Sequence, residues 1–293
     1  MNGLLVLDKP AGITSNGALQ QVKRLLGVKK AGHTGSLDPA ATGMLPLCFG
    51  EATKVCAFLL DADKTYRVTA RLGEATDTGD ADGSLVSESP VPDRSFSGWQ
   101  DVISGFIGDI EQVPPMYSAL KKDGKRLYEL ARQGQEVERA PRSVTIYDIA
   151  LLEARGRRLT FRVRCSKGTY IRTLVEDIAR AAGTLAYTSS LHREQVGDFE
   201  SPDMMPLTAV ESAADDGPEA LEALLLPVDR ALAGWDEACL SADEAERFLH
   251  GQTIGSAAAG GGMVRVYGPR ARFLGVAERN ARGGLSPRRV FHL

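Results

Sequence analysis

Cysteine is scarce and scattered in this chain. Cys48, Cys56, Cys165 and Cys239 form no C-x-x-C pair and have no histidine nearby at metal-ligand spacing, which argues against a zinc site or a disulfide framework. No run approaches 18 consecutive apolar residues, and the opening MNGLLVLDKP has no basic stretch and too short an apolar one for a signal peptide. No membrane span is therefore expected, and the reducing cytoplasm is the expected compartment. Neither G-x-G-x-x-G nor G-x-x-x-x-G-K-[ST] occurs, so no nucleotide cofactor is indicated. There is no internal repeat, and no low-complexity tract beyond a short Ala/Gly run near 255–262.

What is present is an ordinary globular composition, 43% hydrophobic and 25% charged over 293 residues, enough for two domains with a sizeable core. The net charge of -3 hides a strong segregation. Residues 155–172 carry seven basic side chains (Arg155, Arg157, Arg158, Arg162, Arg164, Lys167, Arg172) and no acid, whereas 198–222 carry eight acids and no Lys or Arg. Residues 264–289 set seven arginines against Glu278 alone, and 9–37 hold five basic residues without an acid. Such blocks predict one face that binds a polyanion and another that repels it.

Periodicity predicts a strand at Leu4–Leu7 and a turn at Asp8–Gly12. A helix follows over Asn16–Leu26, capped by Ser15 or Asn16 and ended by Gly27. The run AGHTGSLDPAATGMLP from Ala31 to Pro46 reads as an ordered loop, and Glu51–Leu60 as helical. Tyr66–Leu72 and Leu159–Cys165 alternate as half-buried strands. Between them lie an acidic loop at 74–94, a helix at 95–106 and an excursion at 114–142 with seven basic and four acidic residues. Thr169–Ala182 reads as an amphipathic helix closed by Gly183. From Gly234 the pattern becomes a small β module, with Ser241 and Glu244 as a capping box and strands at Met263–Tyr267, Phe273–Ala277 and Arg289–His292.

Chemistry concentrates in the 31–46 loop, where His33, Thr34, Ser36 and Asp38 stand among Gly32, Gly35 and Gly43 and leave room for close approach to a ligand. The run GHTGSLDPAATGMLP, with LDKPAG from Leu7, GEATK from Gly50, DKTYRVTARLG from Asp63, TDTGDADG from Thr76, PPMYSALKKDGKRLYELARQG from Pro114 and CSKGTYIRTLVEDI from Cys165, resembles the TruB family, the bacterial tRNA pseudouridine-55 synthases. The likeness is strong over about 1–200 and weaker beyond. It implies an α+β fold with a mixed, largely antiparallel central sheet, and a catalytic domain over 1–233 with a thumb-like insertion at about 114–142. A PUA-like RNA-binding module over 234–293 would follow.

The resemblance also implies residue roles. Asp38 matches the family's catalytic aspartate, Tyr66 its active-site tyrosine and Arg172 the arginine that pairs with the aspartate. His33, Tyr170 and Leu191 match positions around the flipped nucleotide, and Asp80 an acidic residue of an RNA-contacting loop. Closure of the thumb would bring Lys121, Lys122, Lys125 and Arg126 to phosphates. Two departures, Lys30 before AGHTG and His192 before Arg193, bear on phosphate contacts and not on the chemistry. Pseudouridine formation breaks N1–C1′, turns the uracil and rejoins it through C5; it is redox-neutral and needs neither metal nor ATP. It does need an ionised carboxylate, which an arginine can maintain. Asp38 can then attack C1′ or remove a 2′ proton; the sequence leaves both routes open.

The implied partner is tRNA, through its T-arm and acceptor stem, acted on by a monomer with no protein partner indicated. Two other readings compete. One is a non-catalytic tRNA-binding or folding protein, for which the basic blocks suffice. The other is a metal-dependent hydrolase built on Asp77, Asp80 and Asp82, a cluster that lacks a second ligand set at recognisable spacing.

Overall fold

The computed structural model describes all residues except Ala119, Asp123 and 256–260, together with the side chain of Lys121. The Ala/Gly run near 255–262 and the role expected of Lys121 thus fall partly or wholly outside the described residues. Strand β1 (Gly3–Lys9) is apolar almost throughout because it is buried on both faces. Helix α1 (Ser15–Leu25) is capped by Thr14, one residue before the expected caps, whose hydroxyl accepts from the Gly17 N–H at 2.9 Å. Ser15 is thereby left for a different bond.

The segment expected as a loop over 31–46 contains two strands, β2 (Ala31–His33) and β3 (Thr42–Phe49), so that 34–41 alone is irregular. Pro46 lies within β3 opposite Val6. Burial of seven of the eight β3 residues outweighs the turn signal of its Gly and Pro. A 3-10 turn (Gly50–Val55) and helix α2 (Cys56–Asp61) lead to β4 (Lys64–Leu72), which alternates as expected, with Arg67 and Arg71 exposed. The acidic loop carries a hairpin of β5 (Glu74–Thr76) and β6 (Leu85–Glu88), strands too short for alternation to reveal.

Helix α3 (Phe96–Ser104) buries Trp99 and Ile103, and β7 (Gly108–Gln112) forms a sheet edge. The excursion holds a small hairpin, β8 (Lys121–Lys122) and β9 (Lys125–Arg126), and helix α4 (Leu127–Ala131). Next come β10 (Arg142–Arg155) and β11 (Arg158–Cys165). Helix α5 (Ile171–Ala182) starts two residues later than expected, because Tyr170 stays extended, and ends where Gly183 adopts φ 82°. β12 (Ala186–Val196), β13 (Met205–Pro206), α6 (Leu207–Asp216) and α7 (Pro218–Ala223) follow. The turn at 215–218 joins these two helices.

Nine strands form one sheet in the order β13-β1-β3-β12-β4-β11-β10-β7, with β2 also on β3. Pairing is antiparallel except at β1–β13 and β3–β12, so the fold is α+β with a mixed, largely antiparallel sheet. The C-terminal module holds β14 (Asp236–Cys239), helix α8 (Ala242–Leu249) with the expected Ser241–Glu244 capping box, β15 (Gly262–Tyr267), β16 (Phe273–Arg279) and β17 (Leu285–Val290). The last strand begins earlier than its sequence pattern placed it. Tyr267, Phe273, Val276 and Phe291 of this module share one apolar cluster with Leu4, Val6, Met44 and Val55 of the main sheet. Among the described residues no helix is long and apolar enough to cross a membrane.

The basic block at 155–172 is exposed apart from Arg172, but much of its charge is matched by acids from elsewhere in the chain. Arg157 pairs with Glu74, Arg162 with Glu194, Arg164 with Asp63 and Lys167 with Asp61, all at 2.7–2.9 Å, and Arg172 turns inward. Most of these partners lie on or beside neighbouring strands, so a tally along one segment cannot see them.

Candidate active site

Residues 34–41 leave the sheet between β2 and β3 and return, and several anchors fix their path. The Ser15 hydroxyl donates to the Leu37 carbonyl at 3.1 Å and accepts from its N–H at 2.7 Å. The Gly12 N–H and the Lys9 ammonium both donate to the Pro39 carbonyl. Lys9 is fully buried and also donates to the Pro10 and Ile13 carbonyls at 2.9 and 2.8 Å. Burial draws its pKa down to about 8, against the pull of Asp38. Asp38 thus stands on a loop held from beneath.

Arg172, in the first turn of α5, reaches that loop. Its Nε lies 3.1 Å from Asp38 Oδ2 and its Nη2 donates to Asp38 Oδ1 at 3.4 Å, a two-point contact. Nη1 faces Asp80 Oδ2 at 3.5 Å and donates to the Thr78 carbonyl at 2.9 Å, while Nη2 also donates to the Tyr117 carbonyl at 2.6 Å. The guanidinium is nearly enclosed, with 7% of its side-chain surface exposed, whereas Asp38 keeps 39% open. One carboxylate edge is therefore bound and the side chain still has room for a ligand. Desolvation raises the Asp38 pKa; Arg172 opposes that rise most strongly, Asp80 and Asp82 add to it, and Lys9 counters them.

Tyr66 on β4 is buried, and its phenol is raised by desolvation while sensing the charges of Arg193 and Asp38. Tyr170, just before α5, is raised by burial and lies within the fields of Arg172 and Asp38. Leu191 on β12 pairs in register with Val68 and packs on the cluster that contains Leu37, Tyr66 and Ile171. Arg172 and Asp38 are thus in direct contact, Tyr66 and Tyr170 lie within the field of Asp38, and Leu191 packs on the cluster that holds Tyr66.

Two other residues are placed differently. Asp80 is buried rather than presented outward: it accepts from the Thr78 hydroxyl at 2.6 Å and the Asp82 N–H at 3.2 Å and flanks Arg172. His33, on β2, has its pKa lowered by burial and then by Arg193, and its Nδ1 is buried without a partner among the described residues. In the 114–142 excursion, Lys122 donates to the Glu138 carbonyl at 2.8 Å, Arg126 donates to the Tyr128 hydroxyl at 3.0 Å, and Lys125 is exposed. Of the carboxylates of the hydrolase reading, Asp77 accepts from the Ser84 N–H and Asp80 is engaged as described.

Sequence reasoning missed Lys9, Gln112 and Arg193. Lys9 had a signal in LDKPAG, since a lysine wedged between Asp and Pro beside a glycine has carbonyls nearby to cap. Gln112 and Arg193 had none, because their partners are far along the chain.

Residues 23–171 match the N-terminal domain of TruB family pseudouridylate synthases, 172–233 the tRNA pseudouridylate synthase B C-terminal domain and 237–291 the pseudouridine synthase II TruB C-terminal region. The chain is 51% identical over 291 residues to tRNA pseudouridine synthase B of Nitrosococcus oceani, covering 99% of this chain and 94% of that protein. It is 50% identical over 292 residues to the same-named protein of Pseudomonas putida, covering 99% and 95%. Among solved structures, a Cbf5-Nop10-Gar1 complex superposes with a TM-score of 0.78 at 25% identity, over 99% of this chain and 85% of that one. An H/ACA RNP bound to a substrate RNA containing 2'-deoxyuridine gives 0.76 at 23% identity, over 99% and 85%, and shares the fold. With three family regions in sequence along its length and half its residues identical to full-length relatives, the chain belongs to the TruB family of pseudouridylate synthases.

Proposed function

We propose that this chain isomerises uridine to pseudouridine in tRNA, at position 55 of the TΨC loop, on a nucleotide turned out of its stack. The observation that carries this reading is the Arg172–Asp38 ion pair, 3.1 Å long, with Asp38 still 39% open. An isolated carboxyl in a desolvated cleft drifts toward its neutral form; a guanidinium on its far edge keeps an ionised oxygen available to ribose. That oxygen serves either route, attack at C1′ or abstraction of the 2′ proton.

Tyr66 supplies a flat ring for the extruded uracil and a hydroxyl to take the C5 proton at the end. Tyr170 and Leu191 wall the pocket, and Asp80 holds Arg172 from the side away from Asp38. His33, kept neutral, fills the gap that the departing base leaves. Lys122, Lys125 and Arg126, with Lys121, meet backbone phosphates as the thumb closes. Residues 1–233 form the catalytic unit, and 234–293 form a PUA-like module that contacts the acceptor stem. A tRNA substrate puts this work in the cytoplasm.

The test is to map pseudouridine in unmodified tRNA after incubation with purified protein and with Asp38→Asn. The expected outcome is modification at position 55 by the wild type and none by the variant, which still folds and binds tRNA. Equal function of the two proteins would favour a non-catalytic tRNA-binding protein instead.

A further inference from the structure

Arg193 is the largest fully buried side chain of the protein, 1% exposed, and among the described residues no carboxylate lies within 4.0 Å of its guanidinium. Enclosing a cation without a counter-ion costs several kcal/mol, about the magnitude at which an apolar side chain of similar volume is the more stable choice. Packing alone therefore does not account for an arginine here. Its hydrogen bonds do point to a purpose. Nε donates to the Met44 carbonyl at 2.7 Å and Nη2 to the Gly35 carbonyl at 3.0 Å. Those carbonyls lie on either side of Asp38 in the chain, one where the catalytic loop leaves the sheet and the other where it has rejoined it.

The backbone of Arg193 is as closely fitted as its side chain. It pairs in register with Gly43 on β3 and with Tyr66 on β4. A Cβ on Gly43, whose φ is +96°, would stand 2.4 Å from the Arg193 carbonyl oxygen, so the strands meet here at a distance that glycine alone permits. Register with Tyr66 puts the two side chains on one face of the sheet.

We propose that Arg193 is a positioning residue for the pseudouridine reaction: its guanidinium fork ties together the two ends of the loop that carries Asp38 and sets that loop against Tyr66. The inference rests on the function proposed above. Planar donors at fixed angles can hold two carbonyls at once, whereas a lysine ammonium at the end of a flexible stem cannot reproduce that geometry. The cation also lies in the field of the Tyr66 phenol and opposes the effect of burial on it, which favours the phenolate, the form that can accept a proton. Arg193 differs in this from Arg172, which faces Asp38 directly.

The experiment compares wild type, Arg193→Lys and Arg193→Met on unmodified tRNA, measuring single-turnover rate and tRNA Kd separately and thermal midpoint alongside. Methionine fills the volume without charge and keeps the fold testable if lysine does not. The expected result is a turnover rate about tenfold lower in the lysine variant and about a hundredfold lower in the methionine variant, with Kd within twofold of wild type, for about 1.4 kcal/mol per tenfold step. Turnover within threefold of wild type in both variants overturns the proposal. Loss of folding in both, or parallel loss of binding and turnover, also overturns it and makes Arg193 a structural element. If the wild type itself forms no pseudouridine, the proposed function fails instead.

Discussion

The side-chain amide of Gln112 brackets the peptide of Tyr170, accepting from its N–H at 3.0 Å and donating to its carbonyl at 3.2 Å. Gln112 is 1% exposed and ends β7, immediately before the thumb, whereas Tyr170 precedes the first turn of α5 that presents Arg172. One amide therefore links the root of the thumb to the helix that holds the candidate carboxylate. Gln112→Leu keeps the bulk and strands the Tyr170 N–H, whereas the Tyr170 carbonyl still accepts from the Leu174 N–H at 3.0 Å. The expected cost is about 1–3 kcal/mol for the one unsatisfied group, read by urea denaturation. Turnover is expected to fall further than the folded fraction does, because the leucine no longer fixes the orientation of Arg172.

The ion pair makes a prediction about pH. Burial raises the Asp38 pKa above its ordinary 3.8 and Arg172 is the strongest force holding it down. If ionised Asp38 is required, activity is lost as pH falls through that pKa, so the acid limb of the turnover profile is displaced upward from 3.8. Arg172→Gln removes the opposing cation, the folded-state pKa rises further and the acid limb moves to higher pH. Single-turnover rates from pH 4 to 9 on prefolded tRNA test this. An acid limb that stays in place would mean that Asp38 is not the titrating group.

Much of this site was legible along the chain and much was not, for physical reasons. The alternation of β4 and β11 declares which face is buried, and the loop motif singles out Asp38 because small residues surround a carboxylate. β3 was hidden by Gly43 and Pro46, whose usual meaning as turn residues is overridden by burial on both faces. Arg193 and Gln112 act through bonds that span 149 and 58 residues, beyond the reach of any local pattern. The partners of the cationic block at 155–172 were hidden for the same reason, since Glu194, Asp63 and Asp61 meet it across the fold.

The C-terminal module is part of the core and not an appendage. Phe291 is fully buried, its ring 5.1 Å from that of Phe273, with the Lys54 ammonium 5.5 Å from its centre. Lys54 also donates to the Val290 carbonyl at 2.7 Å, and the Tyr267 hydroxyl donates to Asp229 at 2.7 Å. Phe291→Ala is expected to cost about 3–5 kcal/mol and to lower the thermal midpoint of the whole protein in one transition. A chain ended at residue 233 should expose the Leu4, Val6 and Val55 surface and aggregate. Two separate transitions in calorimetry, with the first domain unaffected by the substitution, would show that the module folds on its own.

Charge location divides the surface into sites that should and should not matter for tRNA. Arg162 and Arg164 already hold Glu194 and Asp63, so a phosphate would have to displace a carboxylate to gain either of them. Lys125 and Arg126 are exposed on the thumb hairpin, and neither pairs with a carboxylate within 4.0 Å among the described residues. Every phosphate that a protein ceases to neutralise reduces the slope of log K against log salt by about 0.7–0.9. Lys125→Ala with Arg126→Ala is therefore expected to weaken tRNA binding severalfold and to flatten that slope by roughly 1.5. Arg162→Ala with Arg164→Ala removes the same formal charge and is expected to leave both affinity and slope close to wild type. Filter binding from 50 to 300 mM salt separates the cases: equal losses in the two double variants would mean that net charge, and not the thumb, governs how this protein holds its RNA.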